Sequence, residues 1–475
     1  MTTPPNITQT ILRETAPLAE KTALVDGPRS LSYGQLAAAV GRLADELADA
    51  GVRPLDRVAF LCPDSADYVL LSLAVLSLDA AIVPIAPGLM SDECSALLEK
   101  MDVHHLLAAA PEPRTATGHS LRNTSDLTRP FTLSPRPPRR PPPEGYADIR
   151  PAFIRFSSGT TGASKGVVLS HATILERTDA ANRGLHVTSE DIIGWVLSMS
   201  FHFVVTILLF LRKGATLVLC GDPMPDALVD AVQRHPLTLL YASPIHYRLL
   251  SITKMLSPAH FSSVRTAVST AIKLPEAVAQ NFYARFGLRL TEAYGIIEVG
   301  LPFIHQPRDL GYDGLLGQAL PDYTVKLDAN GEVLIRGKGL FDAYFAPWQT
   351  RASCHPDGWF HTGDLGELSE DGNLRLVGRC KSVINFSGMK IFPQEVEELL
   401  NQYPGIAESF VYGEPHPEYG QLPCAKVVLK AGATTLNESD LRAFCRTRLA
   451  LHKIPKVFTC VPAIEKTATG KIRRA

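Results

Sequence analysis

Residues 157–166, with the sequence SSGTTGASKG, combine hydroxyl groups, glycines and one cation in a single short stretch. Glycine has no Cβ atom, so the backbone N–H groups beside it can turn inward. A concave row of N–H groups and hydroxyls next to a lysine is a binding site for phosphate oxygens. We therefore predict that this loop binds phosphate groups. The residues assigned to it are Ser157, Ser158, Gly159, Thr160, Thr161, Gly162 and Lys165.

The loop differs from a Walker A loop, in which Gly-Lys-Ser/Thr opens a helix. Here Lys165 and Gly166 open the apolar run 167–170, which is typical of a strand, and a second strand-like run, 153–156, precedes the loop. The alternative is a flexible Gly/Ser/Thr hairpin that binds nothing. The density of hydroxyl groups favours a binding loop.

Length and composition indicate a globular protein of two or three domains, because 475 residues exceed one compact core. The formal net charge of −1 gives no field that would favour nucleic acid or an anionic membrane. The eight cysteines form no CxxC pair, which argues against a zinc site or a disulfide framework. There is no signal-peptide pattern and no apolar run long enough to span a membrane. We expect a cytoplasmic protein with reduced thiols, no nucleic-acid partner and no membrane span.

The elements that must position the loop alternate between helix and strand patterns. Residues 36–50 have apolar positions at helical spacing, 57–61 form a short apolar strand, and 68–78 and 81–85 repeat the order. This alternation predicts a mostly parallel sheet with helices on both faces. The proline- and arginine-rich run 132–145 predicts an extended surface segment. It is either a polyproline ligand for a partner domain or a plain variable loop.

Several motifs, in this order along the chain, resemble those of the adenylate-forming superfamily, which includes acyl-CoA synthetases, adenylation domains and luciferases. They are SSGTTGASKG at 157–166, YGIIE at 294–298, GWFHTGDL at 358–365 and GRCK at 378–381. The resemblance covers nearly the whole chain. It implies an α/β fold: a large N-terminal domain, 1–379, of two doubly wound α/β subdomains plus a β-rich subdomain. A small mobile α+β domain, 380–475, would follow, with its hinge near Lys381.

The resemblance also implies roles in binding ATP and Mg²⁺. Tyr294 would stack on adenine, Glu298 would hold the metal, and Asp364 and Arg379 would contact the ribose. Magnesium prefers hard oxygen ligands and uses few carboxylates. Lys471, near the end of the chain, matches the family's catalytic lysine, although a single lysine in a basic tail is normally a solubilising charge. The catalytic candidates are Lys471, Glu298 and His202.

This chain departs from the family pattern in two places. Ile297 stands where the family has a threonine, and the missing contact to phosphate is a hydrogen bond of about 1.5–3 kcal/mol. The turn that follows residue 268 reads Ser-Thr-Ala-Ile, where the family has a Gly-rich SGGAPL-like turn. Both departures affect the expected nucleotide and acyl sites.

A substrate pocket is implied by the same resemblance. Relatives that activate α-amino acids place a carboxylate in the segment 192–221 to pair with the substrate ammonium. This chain has no Asp or Glu there, and a buried ammonium without such a partner is costly. This favours an acyl or aryl acid over an α-amino acid. His202 has the alternative of an ordinary core or surface histidine. The pocket candidates are Phe201, His202, Ser269, Thr270, Gly295 and Ile296.

We expect an enzyme that uses ATP to convert a carboxylic acid to an acyl-adenylate and then transfers the acyl group to a thiol. The thiol would belong to coenzyme A or to a phosphopantetheinyl carrier protein acting in trans. A second hypothesis passes the adenylate to a nitrogen nucleophile. A third is a catalytically weak nucleotide-binding protein on the same fold, which Ile297 and the altered turn keep open.

Overall fold

The computed structural model describes residues 5–85, 91–109, 118–121, 126–136, 138, 140–156, 165–221, 224–307, 315–386, 389–417, 419–432, 435–466 and 472. The loop residues Ser157, Ser158, Gly159, Thr160, Thr161 and Gly162, and the candidate Lys471, lie outside these ranges. Their predicted roles therefore stay predictions.

The chain divides into two compact units. The first comprises Met1–Asp313, Gly317–Thr324 and Arg336–Phe360, and the second comprises Gly314–Leu316, Val325–Ile335 and His361–Ala475. Each unit is therefore built from segments that are not contiguous in sequence. The predicted boundary after residue 379 falls within the second unit, and that boundary and the hinge at Lys381 stay predictions.

The helices begin and end close to the apolar repeats of the sequence. Helix α2 shows why: Ser32 caps its first turn together with Gln35, and the buried Leu36, Leu43 and Leu47 recur at helical spacing. The α-helices are α1 (Ile7–Thr15), α2 (Tyr33–Asp49), α3 (Ala66–Ser77), α4 (Ser91–Met101), α5 (Tyr146–Ile149), α6 (His171–Leu185), α7 (Met199–His202), α8 (Leu208–Arg212), α9 (Asp226–Arg234), α10 (Pro244–Ile252), α11 (Glu276–Phe286), α12 (Arg351–Cys354), α13 (Pro393–Leu400) and α14 (Glu438–Arg446). Short 3₁₀ turns cover Ala16–Leu18, Pro258–Phe261, Cys380–Ser382 and Leu451–Lys453, and a π-helical segment covers Phe203–Ile207.

The strands are short, and many are buried along their whole length, as in parallel sheets covered on both faces. They are β1 (Thr22–Asp26), β2 (Arg29–Ser32), β3 (Arg57–Leu61), β4 (Ala81–Pro84), β5 (His105–Ala109), β6 (His119–Ser120), β7 (Phe131–Pro135), β8 (Pro151–Phe156), β9 (Gly166–Ser170), β10 (Ile192–Trp195), β11 (Thr216–Leu219), β12 (Leu239–Ala242), β13 (Thr266–Ser269), β14 (Leu290–Ile296), β15 (Gly300–His305), β16 (Leu315–Gly317), β17 (Tyr323–Leu327), β18 (Glu332–Gly337), β19 (Ala343–Phe345), β20 (Gln349–Thr350), β21 (Phe360–Leu368), β22 (Leu374–Arg379), β23 (Ile384–Phe386), β24 (Met389–Ile391), β25 (Ile406–His416), β26 (Gly420–Leu429) and β27 (Val457–Cys460).

Two sheets of the first unit confirm the predicted α/β alternation. One has the order β15-β14-β13-β12-β10-β11-β1-β2, and its strands from β14 to β1 are parallel. The chain leaves β10 towards β11 on one side and returns to β12 on the other. In open α/β sheets the crevice at the carboxyl ends of the strands, at such a switch point, is where ligands bind.

The other sheet has the order β20-β19-β9-β8-β4-β3-β5-β7-β6, with parallel pairs at β4-β8, β3-β4 and β3-β5. The run 132–145, expected as an extended surface segment, begins inside β7, which pairs with β5. The prediction is wrong for these first residues because Phe131 and Leu133 alternate as buried positions and satisfy a strand. Strand β8 ends directly before the predicted phosphate loop, and β9 begins directly after it.

The remaining sheets belong mainly to the second unit. One has the order β16-β22-β21-β18-β17. The other has the order β24-β23-β26-β25, with β27 parallel to β26. A core of residues that includes Val396, Val411 and Leu441 joins α13, α14 and this last sheet into a small α+β arrangement. In the parts of the chain that the structure describes, no helix has the length and apolar character needed to cross a membrane.

Candidate functional site

Glu298 lies in the turn between β14 and β15, with 9% of its surface exposed. The Tyr344 hydroxyl donates to its Oε1 at 3.3 Å, and the Phe341 N–H donates to its backbone oxygen at 2.7 Å. Burial raises the pKa of Glu298, while Tyr344 and the arginines Arg177 and Arg155 lower it. A carboxyl group held in place by these contacts offers the hard oxygen ligands that Mg²⁺ prefers.

Arg177, on α6, fixes the backbone of this turn. Its Nη1 donates to the Ile297 oxygen at 2.7 Å, its Nη2 donates to the Glu298 oxygen at 2.7 Å, and its Nε donates to the Gly339 oxygen. The residue is buried, and burial lowers its pKa to about 10, which leaves it charged at neutral pH. No sequence pattern indicated this role, because Arg177 is one charged residue on a mixed helix.

Lys165 and Glu298 contact the same tyrosine, Tyr344: the lysine lies over its ring, and the glutamate accepts from its hydroxyl. The Lys165 Nζ lies 4.6 Å from the centroid of the Tyr344 ring, and Lys165 also donates to Gln349 Oε1 at 3.5 Å. Tyr344 pairs with Val167 across β19 and β9, which brings it beside the strand that follows the predicted loop. Burial and Glu298 raise the pKa of Tyr344, so its hydroxyl remains a donor. The predicted phosphate lysine and the predicted metal ligand therefore share one neighbour.

The carboxyl end of β14 carries Tyr294, Gly295 and Ile296. Tyr294 is half-buried, and its ring lies edge-on to Phe303 at 6.0 Å between centroids. A Cβ atom on Gly295 would lie 2.7 Å from Leu301 Cδ2 and 3.1 Å from the Gly300 oxygen, so a side chain there would require Leu301 to shift. Gly295 is also one of the pocket candidates implied by the family resemblance, and that role stays a prediction.

The turn after β13 keeps an unusual backbone without glycine. Ala271 has φ of 77°, in the left-handed region that favours glycine. Thr270 Oγ1 donates to the Ala293 oxygen at 2.9 Å. Ser269 is fully buried, and its Oγ has no hydrogen-bond partner among the described residues. The turn is thus anchored to β14 by Thr270, and Ser269 lies at the carboxyl end of the sheet.

Glu292, on β14, supports the same turn. It pairs in register with Ser269, and its Oε1 accepts the Leu274 N–H at 3.0 Å. Burial raises the pKa of Glu292 to about 7, against smaller lowering effects of the Leu274 N–H and Lys273. The carboxyl group therefore changes charge near neutral pH.

Phe201 and His202 lie at the end of α7, after the carboxyl end of β10. The π-helical segment Phe203–Ile207 follows at once, and such segments are frequent at functional sites. His202 lies edge-on to Trp195 at 6.5 Å between centroids, and Trp195 stacks on Tyr241 of β12. These residues occupy the switch point of the sheet, which supports their assignment as pocket candidates.

In the second unit, Asp364 and Arg379 are cross-strand partners on β21 and β22. The Arg379 Nε lies 2.6 Å from Asp364 Oδ1, and Asp364 is buried. The two residues predicted to contact one ribose are therefore neighbours. Lys381 lies in the 3₁₀ turn Cys380–Ser382, directly after this strand pair.

Sequence reasoning missed Arg155, Arg177 and Tyr344. Arg155 offered a signal, because it is a charge within the apolar strand FIRF immediately before the loop. Over the described ranges, no group of three or more His, Cys, Asp or Glu side chains could hold a metal ion alone. A metal here would depend on one carboxylate plus ligands from a bound nucleotide.

Comparison with known proteins adds family information. The model of the AMP-binding enzyme family matches residues 13–345, and that of the AMP-binding enzyme C-terminal domain matches 395–471. A feruloyl-CoA synthase from an Amycolatopsis species is 29% identical, over 95% of this chain and 94% of the relative. An indoleacetate–CoA ligase from Aromatoleum aromaticum is 30% identical, over 96% and 94%.

Solved structures share the fold. The ATP-bound structure of MatB from Rhodopseudomonas palustris has a TM-score of 0.84 at 23% identity, covering 98% of this chain and 97% of MatB. The amide bond synthetase McbA from Marinactinospora thermotolerans has a TM-score of 0.79 at 24% identity, covering 98% of both chains. These likenesses confirm the predicted mixed α/β architecture with a large N-terminal and a small C-terminal domain.

Proposed function

The chain belongs to the AMP-binding enzyme family, and from this premise we propose that it is an AMP-forming acid–thiol ligase. It converts an acyl or aryl acid to an acyl-adenylate with ATP and Mg²⁺, releases pyrophosphate, and transfers the acyl group to coenzyme A. The observation that carries the proposal is the joint contact of Lys165 and Glu298 with Tyr344. It supports a phosphate-binding lysine and a metal-binding carboxylate within one site.

The first step needs positioning and charge neutralisation. A carboxylate oxygen of the acid attacks the α-phosphorus of ATP, and the bond from that phosphorus to the bridging oxygen breaks as pyrophosphate leaves. Such reactions depend mainly on orientation and on groups that stabilise the developing charge. Lys165 would bind the departing phosphates, and Glu298 would hold the metal.

Mg²⁺, when bound, supplies positive charge to the phosphate oxygens. The chain's own contribution is the fixed position of Glu298: Arg177 and Phe341 hold its backbone oxygen, and Tyr344 donates to its carboxylate. In the second unit, Asp364 and Arg379 would hold the ribose, because a carboxylate accepts two hydroxyl donors. Lys471 would stabilise charge at the reacting carboxylate and the α-phosphate.

The second step forms the thioester. The thiol sulfur attacks the acyl carbon, the bond from that carbon to the phosphate oxygen breaks, and AMP leaves. Coenzyme A is the acceptor that we propose, since the feruloyl and indoleacetate relatives are named for CoA ligation. AMP release measured with coenzyme A, with a phosphopantetheinyl carrier protein and with amines distinguishes this acceptor from the two alternatives.

The test is acid-dependent exchange between ATP and labelled pyrophosphate, with fatty acids of several lengths, aryl acids and amino acids. We expect exchange with an acyl or aryl acid and none with α-amino acids. Lys471→Ala should lower the exchange rate by about 10²–10³-fold, the loss that follows removal of one charge-stabilising group. Thioester formation from synthetic acyl-adenylate should persist in this variant.

The matched control is Lys466→Ala, which removes a nearby lysine that pairs with Glu408 at 2.8 Å. Its exchange rate should stay within about twofold of wild type, because an exposed pair contributes little. Exchange by Lys471→Ala at the wild-type rate would overturn the assigned role. Release of AMP that requires an amine, with no response to coenzyme A, would overturn the thiol acceptor.

A further inference from the structure

Arg155 is a cation inside an apolar strand, and its function is not accounted for by the roles given above. It lies near the end of β8, two positions before the predicted phosphate loop. Its guanidinium carbon lies 5.0 Å from the centroid of the Phe201 ring, and its Nη1 donates to the Phe201 oxygen. One face and one edge of the group are therefore fixed against α7.

In the described part of the chain, the other edge of Arg155 has no hydrogen-bond partner. Its Nε is buried and has no hydrogen-bond partner within the described ranges, and no carboxylate of those ranges forms an ion pair with Arg155. By contrast, the buried Arg57 donates to the Asp102 oxygen at 2.5 Å and contacts the Asp102 carboxylate at 3.4 Å. A buried N–H donor of a cation that lacks an acceptor is costly, and such a group is retained where a ligand completes it.

Arg155 and Glu298 also shift each other's pKa through their opposite charges. Burial lowers the pKa of Arg155 to about 10, and the Glu298 carboxylate acts against this by raising it. In return Arg155 is one of the groups that lower the pKa of Glu298. Arg155 is therefore charged at neutral pH and lies within electrostatic reach of the proposed metal ligand.

These contacts place Arg155 between two parts of the proposed site. Phe201, on which it stacks, is a candidate for the acid's tail, and Glu298 belongs to the nucleotide side. In the adenylation step the reacting carboxylate must lie between the tail and the phosphates. A guanidinium presents paired N–H donors in a plane, which matches a carboxylate better than any other side chain does.

We propose that Arg155 binds the reacting carboxylate of the acid and positions it for attack on ATP. The inference rests on the proposed function and adds to it a positioning residue with a defined ligand group. The Nε edge, which has no partner among the residues that the structure describes, and the Nη2 group are the donors available to the carboxylate. The contact requires a carboxylate in the substrate and is indifferent to the length of its tail.

The experiment measures KM for the acid, KM for ATP and kcat in the exchange assay, with wild type and Arg155→Gln. Loss of a charge-assisted contact should raise KM for the acid roughly 10- to 100-fold. KM for ATP should stay within about twofold, because the nucleotide contacts are untouched. Arg155→Lys keeps the charge but loses the planar donor pair, so it should recover part of the affinity.

Arg57→Gln is the matched control, since Arg57 is a buried arginine whose guanidinium, like that of Arg155, lies beside an aromatic ring, at 5.1 Å from the Phe345 centroid. It should lower the melting temperature without changing KM for the acid. Arg155→Lys supplies the measurement if Arg155→Gln does not fold. Wild-type exchange tests the proposed function independently of all these variants.

Two results would overturn the inference. An acid KM unchanged in a folded Arg155→Gln protein, with only a lower melting temperature, would make Arg155 a structural support for Phe201. A rise in KM confined to dicarboxylic acids, and absent for monocarboxylic acids of equal length, would assign Arg155 to a carboxylate on the tail instead. An equal rise for both kinds of acid supports the reacting carboxylate.

Discussion

Glu292 supports the turn after β13, and the charge of its carboxyl group changes near neutral pH. It is buried, and burial raises its pKa from an ordinary value of 4.5 to about 7. The folded protein therefore keeps the proton over a range in which the unfolded chain has lost it. The stabilising contribution of this carboxyl group is complete below about pH 4.5 and is lost as the pH rises to about 7.

Replacing Glu292 with Gln should remove this pH dependence, because the neutral amide oxygen can still accept the Leu274 N–H. The melting temperature of the variant, relative to wild type, should rise between pH 5.5 and pH 8, by an amount that corresponds to a few kcal/mol. Thermal unfolding at both pH values measures it. Glu276→Gln, on the exposed start of α11, is the control. A difference between Glu292→Gln and wild type that is the same at both pH values would contradict the assignment.

For single residues, the sequence motifs predicted which residues belong to the site more readily than which residues they contact. Tyr294, Glu298, Asp364 and Arg379 were named from motifs, and the structure joins Asp364 to Arg379 at 2.6 Å. Arg155 and Tyr344 were not named, because their importance depends on contacts with residues far along the chain. The sequence shows that Ala271 lies in a turn that departs from the Gly-rich turn of the family. It does not show that the backbone of Ala271 is left-handed.

Among the elements, α6 and the β14–β15 hairpin are joined by Arg177, whose three nitrogens each donate to a backbone oxygen. No other side chain could supply three donors in one plane at this place. The hairpin carries both Tyr294 and Glu298, so the position of the site on this element depends on a residue of a helix 120 positions earlier in the chain.

Arg177→Met should leave three buried carbonyl oxygens without these donors. Each charge-assisted bond contributes about 1.5–3 kcal/mol. We therefore expect the free energy of unfolding to fall by at least about 3 kcal/mol, and kcat in the exchange assay to fall as well. Thermal unfolding and exchange kinetics measure the two effects. The matched control is Arg183→Met on the same helix, an exposed arginine paired with Asp322, which should change stability by less than about 1 kcal/mol. Equal melting temperatures for the two variants would argue against the anchoring role.

Element prediction succeeded where apolar periodicity was strong. Strand β3 was predicted with its observed bounds, and α2 and α3 within a few residues. The run 132–145 was predicted wrongly only at its start, because proline suggested an exposed segment while Phe131 and Leu133 satisfy a strand. The π-helical segment after His202 had no sequence signal, since it depends on packing around Phe203 and Ile207.

For the whole molecule, the predicted hinge at Lys381 would let the small domain change its position between the two steps of the proposed reaction. We predict that Lys381→Pro spares pyrophosphate exchange and slows thioester formation, because proline fixes φ in the turn Cys380–Ser382. Rapid-mixing measurements of each half-reaction test this. Lys381→Ala removes the charge and keeps the backbone freedom, so it should behave like wild type in both steps. Equal loss of both half-reactions in Lys381→Pro would contradict a hinge at this residue.

The number of domains and their class were predictable from length and motif order, but the extent of each unit was not. A linear sequence suggests a boundary at one position, whereas the second unit includes Val325–Ile335 together with His361–Ala475. Discontinuous units arise from strand pairing over long sequence separations, such as β18 with β21. Such pairings leave no local pattern in composition.

The pairing of β9 with β19 has a consequence for synthesis of the chain. Gly166 pairs with Phe345, so the strand that follows the predicted phosphate loop waits for a partner about 180 residues later. At a translation rate of about 5–20 residues per second, this interval is roughly ten to thirty seconds. During that time the edge of β9 is an unpaired strand, open to other nascent chains. The nascent protein should therefore depend on chaperones most strongly between the emergence of residue 170 and that of residue 345 from the ribosome.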